Sequence, residues 1–246
     1  MPTTSSAQPS TLSPAGPLPA PRFSIVVPVL NEAAGIAAAL RALAPLRARG
    51  HEVIVVDGGS SDGTAALAQP FADLVLASPR GRARQMNAGA RAASHPLLLF
   101  LHADTWLPED AEAALHAALA RGARWGRFDV RIVGRSRMLA LVAAMMNLRS
   151  RLTGIATGDQ AIFVLRALFE QVGGYPEQPL MEDVELSRRL SRLVTIERPA
   201  CLRQRVRTSG RRWEQRGVWR TIVLMWRLRW RYWRGESAEV LARAYR

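Results

Sequence analysis

The sequence has no lysine. All 34 basic residues are arginine, against 20 acids, and the formal net charge is +14. An arginine-only set reflects base composition as well as function, so a single arginine carries little weight. Where the arginines cluster carries more. Cysteine is nearly absent too. Cys201 stands alone, which excludes an internal disulfide and fits a structural thiol in a reducing, cytoplasmic compartment. Long apolar runs are missing. The longest, Met138–Met146, is too short to span a bilayer. The first 21 residues hold six prolines but no apolar h-region and no cleavage pattern, so they read as a disordered tail and not as a signal peptide. The expected protein is soluble or peripheral.

What is present begins at Phe23. FSIVVPV, HEVIVVD, ADLVLAS and LLLFL are short apolar, β-rich runs. Between them lie an Ala-rich helix opening at Asn31 and Glu32 and ending near Gly50, a helix capped by Ser61 or Asp62, and a helix over GRARQMNAGARAA. Buried strands alternating with helices predict an α/β fold, a mostly parallel sheet covered on both faces. The alternation then loosens. Helices are expected at Pro108–Arg121, Met138–Leu152 and Met181–Leu193, and strands at Arg124–Val133 and Ala161–Leu165. The expected organisation is a Pro-rich tail at 1–21, an α/β domain at 22–210 and an appended Trp/Arg-rich helical segment at 211–246.

Polar groups collect where the first four strands end: Pro28 to Glu32, Asp57 to Asp62, Ser78 to Arg84, and His102 to Asp104. In an open α/β sheet these ends share one edge, where ligands bind. DGGSSDGT has neither the spacing nor the opening of a dinucleotide GxGxxG; its Asp57 is suited to a base or ribose, and its glycines permit close backbone approach. Arg80, Arg82 and Arg84 gather at a helix start, where N–H groups and guanidinium favour an anion; Arg82 by itself reads as a solvated residue on that helix. Asp104, at the exit of a buried strand, suits a divalent cation shared with a diphosphate. His102 has two readings, as a metal ligand and as a satisfied structural histidine. Further on, GDQ supplies Asp159, and Glu182, Asp183 and Glu185 occupy one helix's first turn, where acids suit the helix dipole and where one of them can serve as a general base.

Together SIVVPVLNE, VIVVDGGSSDGT, GRARQMNAGA, LFLHADT, GDQAIFV, MEDVELSRRL and RRW resemble the family 2 glycosyltransferases of GT-A fold, and most closely the short branch named radical-SAM/selenodomain-associated transferases. The resemblance covers about residues 22–246. It implies inverting transfer of a sugar from a nucleotide-diphosphate donor to an acceptor hydroxyl. By resemblance Pro28, Asn31, Glu32 and Asp57 line the nucleoside pocket, and Arg80 and Arg84 belong with the donor. Asp104 matches the last acid of the DXD-type motif and would bind Mg2+ or Mn2+, with His102 beside it. Asp183 matches the second acid of the ED motif, the base, and Asp159 lies near the sugar or acceptor. Arg211, Arg212 and Trp213 resemble the element that closes over the diphosphate. Two departures matter. His102 stands where many members carry Asp, and Ser209 stands where QxxRW has its Gln, which favours a single transfer over polymer synthesis.

Residues 203–234 carry eleven arginines and one acid, Glu214. On a helix Trp219, Trp226, Trp230 and Trp233 form one stripe, and Arg220, Arg227, Arg231 and Arg234 form the next. Such a helix at 216–234 suits an anionic surface on the inner face of the cell membrane, or it packs its Trp stripe on the domain. Membrane contact would fit a lipid acceptor, as in carotenoid glycosyltransferases. Two other functions are weighed. A sugar-1-phosphate nucleotidyltransferase would need a Gly-rich basic signature near the first strand, where PVLNE stands instead. An inactive nucleic-acid or membrane adaptor would not need Asp57, Asp104 and Asp183 together. Nucleic acid is not an expected partner.

Overall fold

A computed structural model describes residues 21–194 and 198–245. The proposed tail at 1–21 lies outside the described residues but for Pro21. The apolar runs become strands β1 (Phe23–Val29), β2 (Glu52–Asp57), β3 (Leu74–Ala77) and β4 (Leu97–Phe100), which pair in parallel with one another. Pro28 is tolerated in β1 because β4 pairs only as far as Val26. The missing N–H therefore falls where no second ladder needs it. A short β5 (Thr105–Trp106), β6 (Trp125–Val133), β7 (Ile162–Leu165) and β8 (Ala200–Ser209) complete an eight-stranded sheet of order β3-β2-β1-β4-β7-β6-β8-β5. β7 is antiparallel to β4 and β6, and β5 to β8, while β6 and β8 are parallel.

Helices cover both faces. On one, Phe23, Ile25, Val27 and Val29 meet Ile36 and Leu40 of α1 (Ile36–Arg41), Leu46 of α2 (Ala44–Ala48), Leu115 of α5 (Ala111–Ala120), and Leu139 and Val142 of α6 (Met138–Thr153). On the other, Val26, Ile54 and Val56 meet Met86 of α4 (Arg82–Ala92), Leu168 of α7 (Arg166–Gln171) and Leu186 of α8 (Glu182–Leu193). The period-two alternation of β1 is thus used on both sides. α4 lies close to the sheet: a Cβ at Gly89 would sit 2.4 Å from Val26 Cγ1. A short α3 (Thr64–Ala68) follows β2.

The single helix expected from Asn31 to Gly50 is corrected to two. Asn31 takes a left-handed φ of 54° and cannot start a helix, and Pro45 begins a second helix after Leu43. The cap expected from Ser61 or Asp62 falls to Gly63, while Asp62 accepts hydrogen bonds from the Thr64 and Ala33 amides. β8 was not expected at all. Leu202, Val206 and Thr208 are buried while Arg203, Arg205 and Arg207 face solvent. This is a half-buried strand's alternation, hidden by reading the arginines as one basic tract.

After β8 come α9 (Arg211–Arg216), α10 (Val218–Trp233) and α11 (Ala238–Tyr245). Leu228 and Leu241 close a small apolar cluster with Met181 and Val184 at the start of α8. Among the described residues no helix is long and apolar enough to cross a membrane.

Candidate active site

The turn after β2 is tied to the turn after β1. The Asp57 carboxylate accepts the amides of Gly59 (3.0 Å) and Ser60 (2.9 Å) and the Ser60 hydroxyl. Ser60 Oγ in turn accepts the Asn31 amide at 2.8 Å, and Asn31 Oδ1 accepts the Ser61 amide at 2.9 Å. Beneath them Gln85, which sequence reasoning missed, donates through Nε2 to the carbonyls of Val29 (2.7 Å) and Val56 (2.8 Å). It pins the ends of β1 and β2 side by side. Pro28, Asn31, Glu32 and Asp57 therefore share one edge, with Asp57 ordering the loop through its own bonds.

Four segments converge on Asp183. It opens α8 behind Met181, whose φ of 64° turns the chain sharply. Asp183 Oδ2 accepts the Gly158 amide at 3.0 Å, and Oδ1 accepts the Val184 amide at 2.7 Å. Burial first, and then the neighbouring Glu182 carboxylate, raise the Asp183 pKa to about 6, against those two amides and Arg82. Glu182 itself is buried, with Arg82 Nη1 3.6 Å away. Arg82 is exposed, as expected of that helix face, and extends its guanidinium toward the acid cluster, where Glu182, Asp159 and Asp183 raise its pKa.

Asp159 sits on the short turn before β7, its Oδ1 3.2 Å from His102 Nδ1. Burial pushes this carboxyl up, but the His102 bond and the Arg82 and Arg212 charges outweigh it and hold the group below its ordinary value. The other edge of the His102 ring lies against Gly158, where a Cβ would fall 2.4 Å from Cε1 and Nε2. Nε2 is buried with no partner among the described residues. Glycine at 158 is what lets the ring fit.

Asp104, half-buried at the exit of β4, uses its carbonyl to accept the Ser209 amide at 3.1 Å; its carboxylate accepts no hydrogen bond among the described residues. Nor do those residues contain a group of three or more His, Cys, Asp or Glu side chains able to hold a metal. A free carboxylate without a closed cage suits a hard cation whose remaining ligands are phosphate oxygens and water. From α9, Arg211 reaches within 3.6 Å of Glu32, Arg212 Nη1 donates to the Tyr245 hydroxyl at 3.0 Å, and Trp213 packs on the core. These contacts bring the start of α9 beside the turn that follows β1. Arg80 is exposed, and Arg84 pairs with Glu177 at 3.1 Å on the surface. Two further polar groups near Asp183 gave no sequence signal. Tyr175 is 2% exposed, its hydroxyl has no partner among the described residues, and its pKa is raised by burial and then by Asp183 and Glu182. Arg149 of α6 has Nε and Nη2 buried without partners among the described residues, and burial lowers its pKa against the pull of Asp183.

The model of "Glycosyl transferase family 2" matches residues 24–153, more than half of the chain, so the chain belongs to that family. A relative from Mycobacterium bovis, "PGL/p-HBAD biosynthesis glycosyltransferase", is 39% identical over 106 residues, which are 40% of this chain and 41% of the relative. The chain thus matches about two fifths of that relative's length. The solved mannosyltransferase PcManGT from Pyrobaculum calidifontis, in complex with GDP-Man and Mn2+, superposes at TM-score 0.58, with 23% identity over 81% of this chain and 60% of that one. TarS 1-349 of S. aureus, in complex with UDP-GlcNAc, gives TM-score 0.62 and 19% identity over 76% and 58%. These likenesses establish the fold.

Proposed function

We propose that the chain moves a sugar from a nucleotide-diphosphate donor to an acceptor hydroxyl, with inversion and in a single transfer, and that Asp183 is the base. The observation that carries this is the Asp183 carboxylate itself. It stands at the ligand edge of the sheet, fixed by two amides, with a pKa raised to about 6. Such a group is ionised at neutral pH yet basic enough to take a hydroxyl proton as the bond to the sugar forms. The donor's base and ribose would lie over Pro28, Asn31, Glu32 and the Asp57 turn. Its diphosphate would face Arg212 and Arg80, with Arg84 in reach after it leaves Glu177. Mg2+ or Mn2+ bound by Asp104 would offset negative charge on the departing diphosphate. His102 holds Asp159 in place beside the sugar from its place against Gly158.

Motif order supports the narrower radical-SAM/selenodomain-associated branch. Ser209 in place of the QxxRW glutamine supports a single transfer. An anionic membrane surface is the proposed partner of residues 216–234, because the Trp stripe of α10 faces outward, and a lipid or carotenoid is then the fitting acceptor. The test is Asp183→Asn. Glycosyl transfer should fall by about 10²–10⁴-fold, while donor affinity changes little. Transfer at the wild-type rate would overturn the assignment.

A further inference from the structure

α6 and α10 pack against each other, Val218 and Ile222 of α10 lying on the cluster that holds Leu139 and Val142 of α6. Each also leaves an apolar stripe uncovered. On α10 Trp219, Trp226, Trp230 and Trp233 are 56–73% exposed. On α6 Leu141, Met145, Leu148 and Leu152 are 50–71% exposed and spaced by four, three and four, while the opposite side of the helix is core. Two neighbouring helices that both turn large side chains outward are not explained by the fold. Exposed apolar surface of this extent marks a partner.

The charge chooses the partner. Arg220, Arg227 and Arg234 are exposed along the Trp stripe, and the Arg234 guanidinium lies 4.9 Å from the Trp230 ring centroid. Indoles with guanidinium groups beside them match the interface of an anionic bilayer, where rings sit among headgroups and cations meet phosphates. A second copy of the chain would bring two such arginine rows together on a molecule of net charge +14. We propose that α6 is the second half of the membrane-docking surface, and that α6 and α10 together seat the enzyme on an anionic lipid bilayer. This rests on the membrane reading of α10 and extends it to a helix that the sequence presented only as the longest apolar run.

The experiment is co-sedimentation of the full chain with vesicles of phosphatidylcholine alone and of phosphatidylcholine with phosphatidylglycerol. Wild type is compared with Leu148→Glu/Leu152→Glu on α6 and Trp226→Ala/Trp230→Ala on α10. All four side chains are exposed, so folding should be retained, and unchanged melting and nucleotide binding check it. The expected result is binding to the anionic vesicles that each double variant weakens by about tenfold or more. An α6 variant that binds like wild type overturns the inference and leaves α10 as the sole anchor. No binding by wild type overturns both. A wild-type dimer that the α6 variant dissociates shows the stripe to be a self-association face and also overturns it. Vesicle binding without nucleotide binding would leave the docking surface standing and remove the transferase reading, so the two fail separately.

Discussion

Asp183 shows how one residue's surroundings set two measurable quantities with opposite signs. Burial and Glu182 favour the protonated form, so the folded pKa of about 6 lies above the ordinary carboxylate value of 3.8. Activity needs the ionised form, and kcat should rise with pH through an inflection near 6. Stability runs the other way. A raised folded pKa contributes fully below the unfolded value, and that contribution is lost as pH rises through the folded one. Asp183→Asn cannot accept both amides and so carries a pH-independent cost, but its stability relative to wild type should rise by about 2 kcal/mol between pH 4 and pH 8. Thermal melts across that range check it, and a difference that does not change with pH would count against the raised pKa. Gly158 gives a second prediction at this scale. Its Cα faces the His102 ring, so Gly158→Ala should cost about 1–3 kcal/mol and loosen Asp159. Adding His102→Ala should recover much of that stability, because the added methyl then has room; additive losses in the double mutant would contradict the contact. Asp57, Asp104, Asp159 and Asp183 were legible as residue types at the ends of elements. Arg149, Tyr175 and Gln85 were not, because their roles depend on which element they reach across to. A linear pattern reports a residue's own element and says little about its neighbour's.

At the scale of elements, the strands and helices of the first half followed from apolar period and caps, and the failures have local causes. Pro45, in the first turn of the second, divides one Ala-rich stretch into two helices, and a left-handed Asn31 keeps the first from starting before Ile36. β8 was concealed by its arginines although its alternation is regular. The packing of α4 on β1 was also invisible, since a glycine within a helix reads as a defect until the sheet beneath it is known. Gly89→Ala would force a methyl against Val26, 2.4 Å away, and should destabilise by about 1–3 kcal/mol. Urea unfolding measures this. A neutral result would mean that α4 can lift from the sheet without loss.

At the scale of the molecule, a sheet whose strand ends gather acids and arginines is joined to a helical segment that presents tryptophans outward. Fold class and family were readable because order and spacing along the chain carry them. Sugar, base and acceptor are set by the shape of loops, which single residues do not report. The central claim is that this edge holds a nucleotide diphosphate through a cation at Asp104. The direct measurement is the thermal stability of wild type and Asp104→Ala with UDP, GDP, dTDP and CDP and their sugars, with and without Mn2+ or Mg2+, because a ligand of the folded state raises its melting point. The account predicts that one diphosphate stabilises wild type in a metal-dependent way and that Asp104→Ala abolishes the metal dependence. A folded protein that responds to none of them, or an Asp104→Ala variant that responds like wild type, would contradict it.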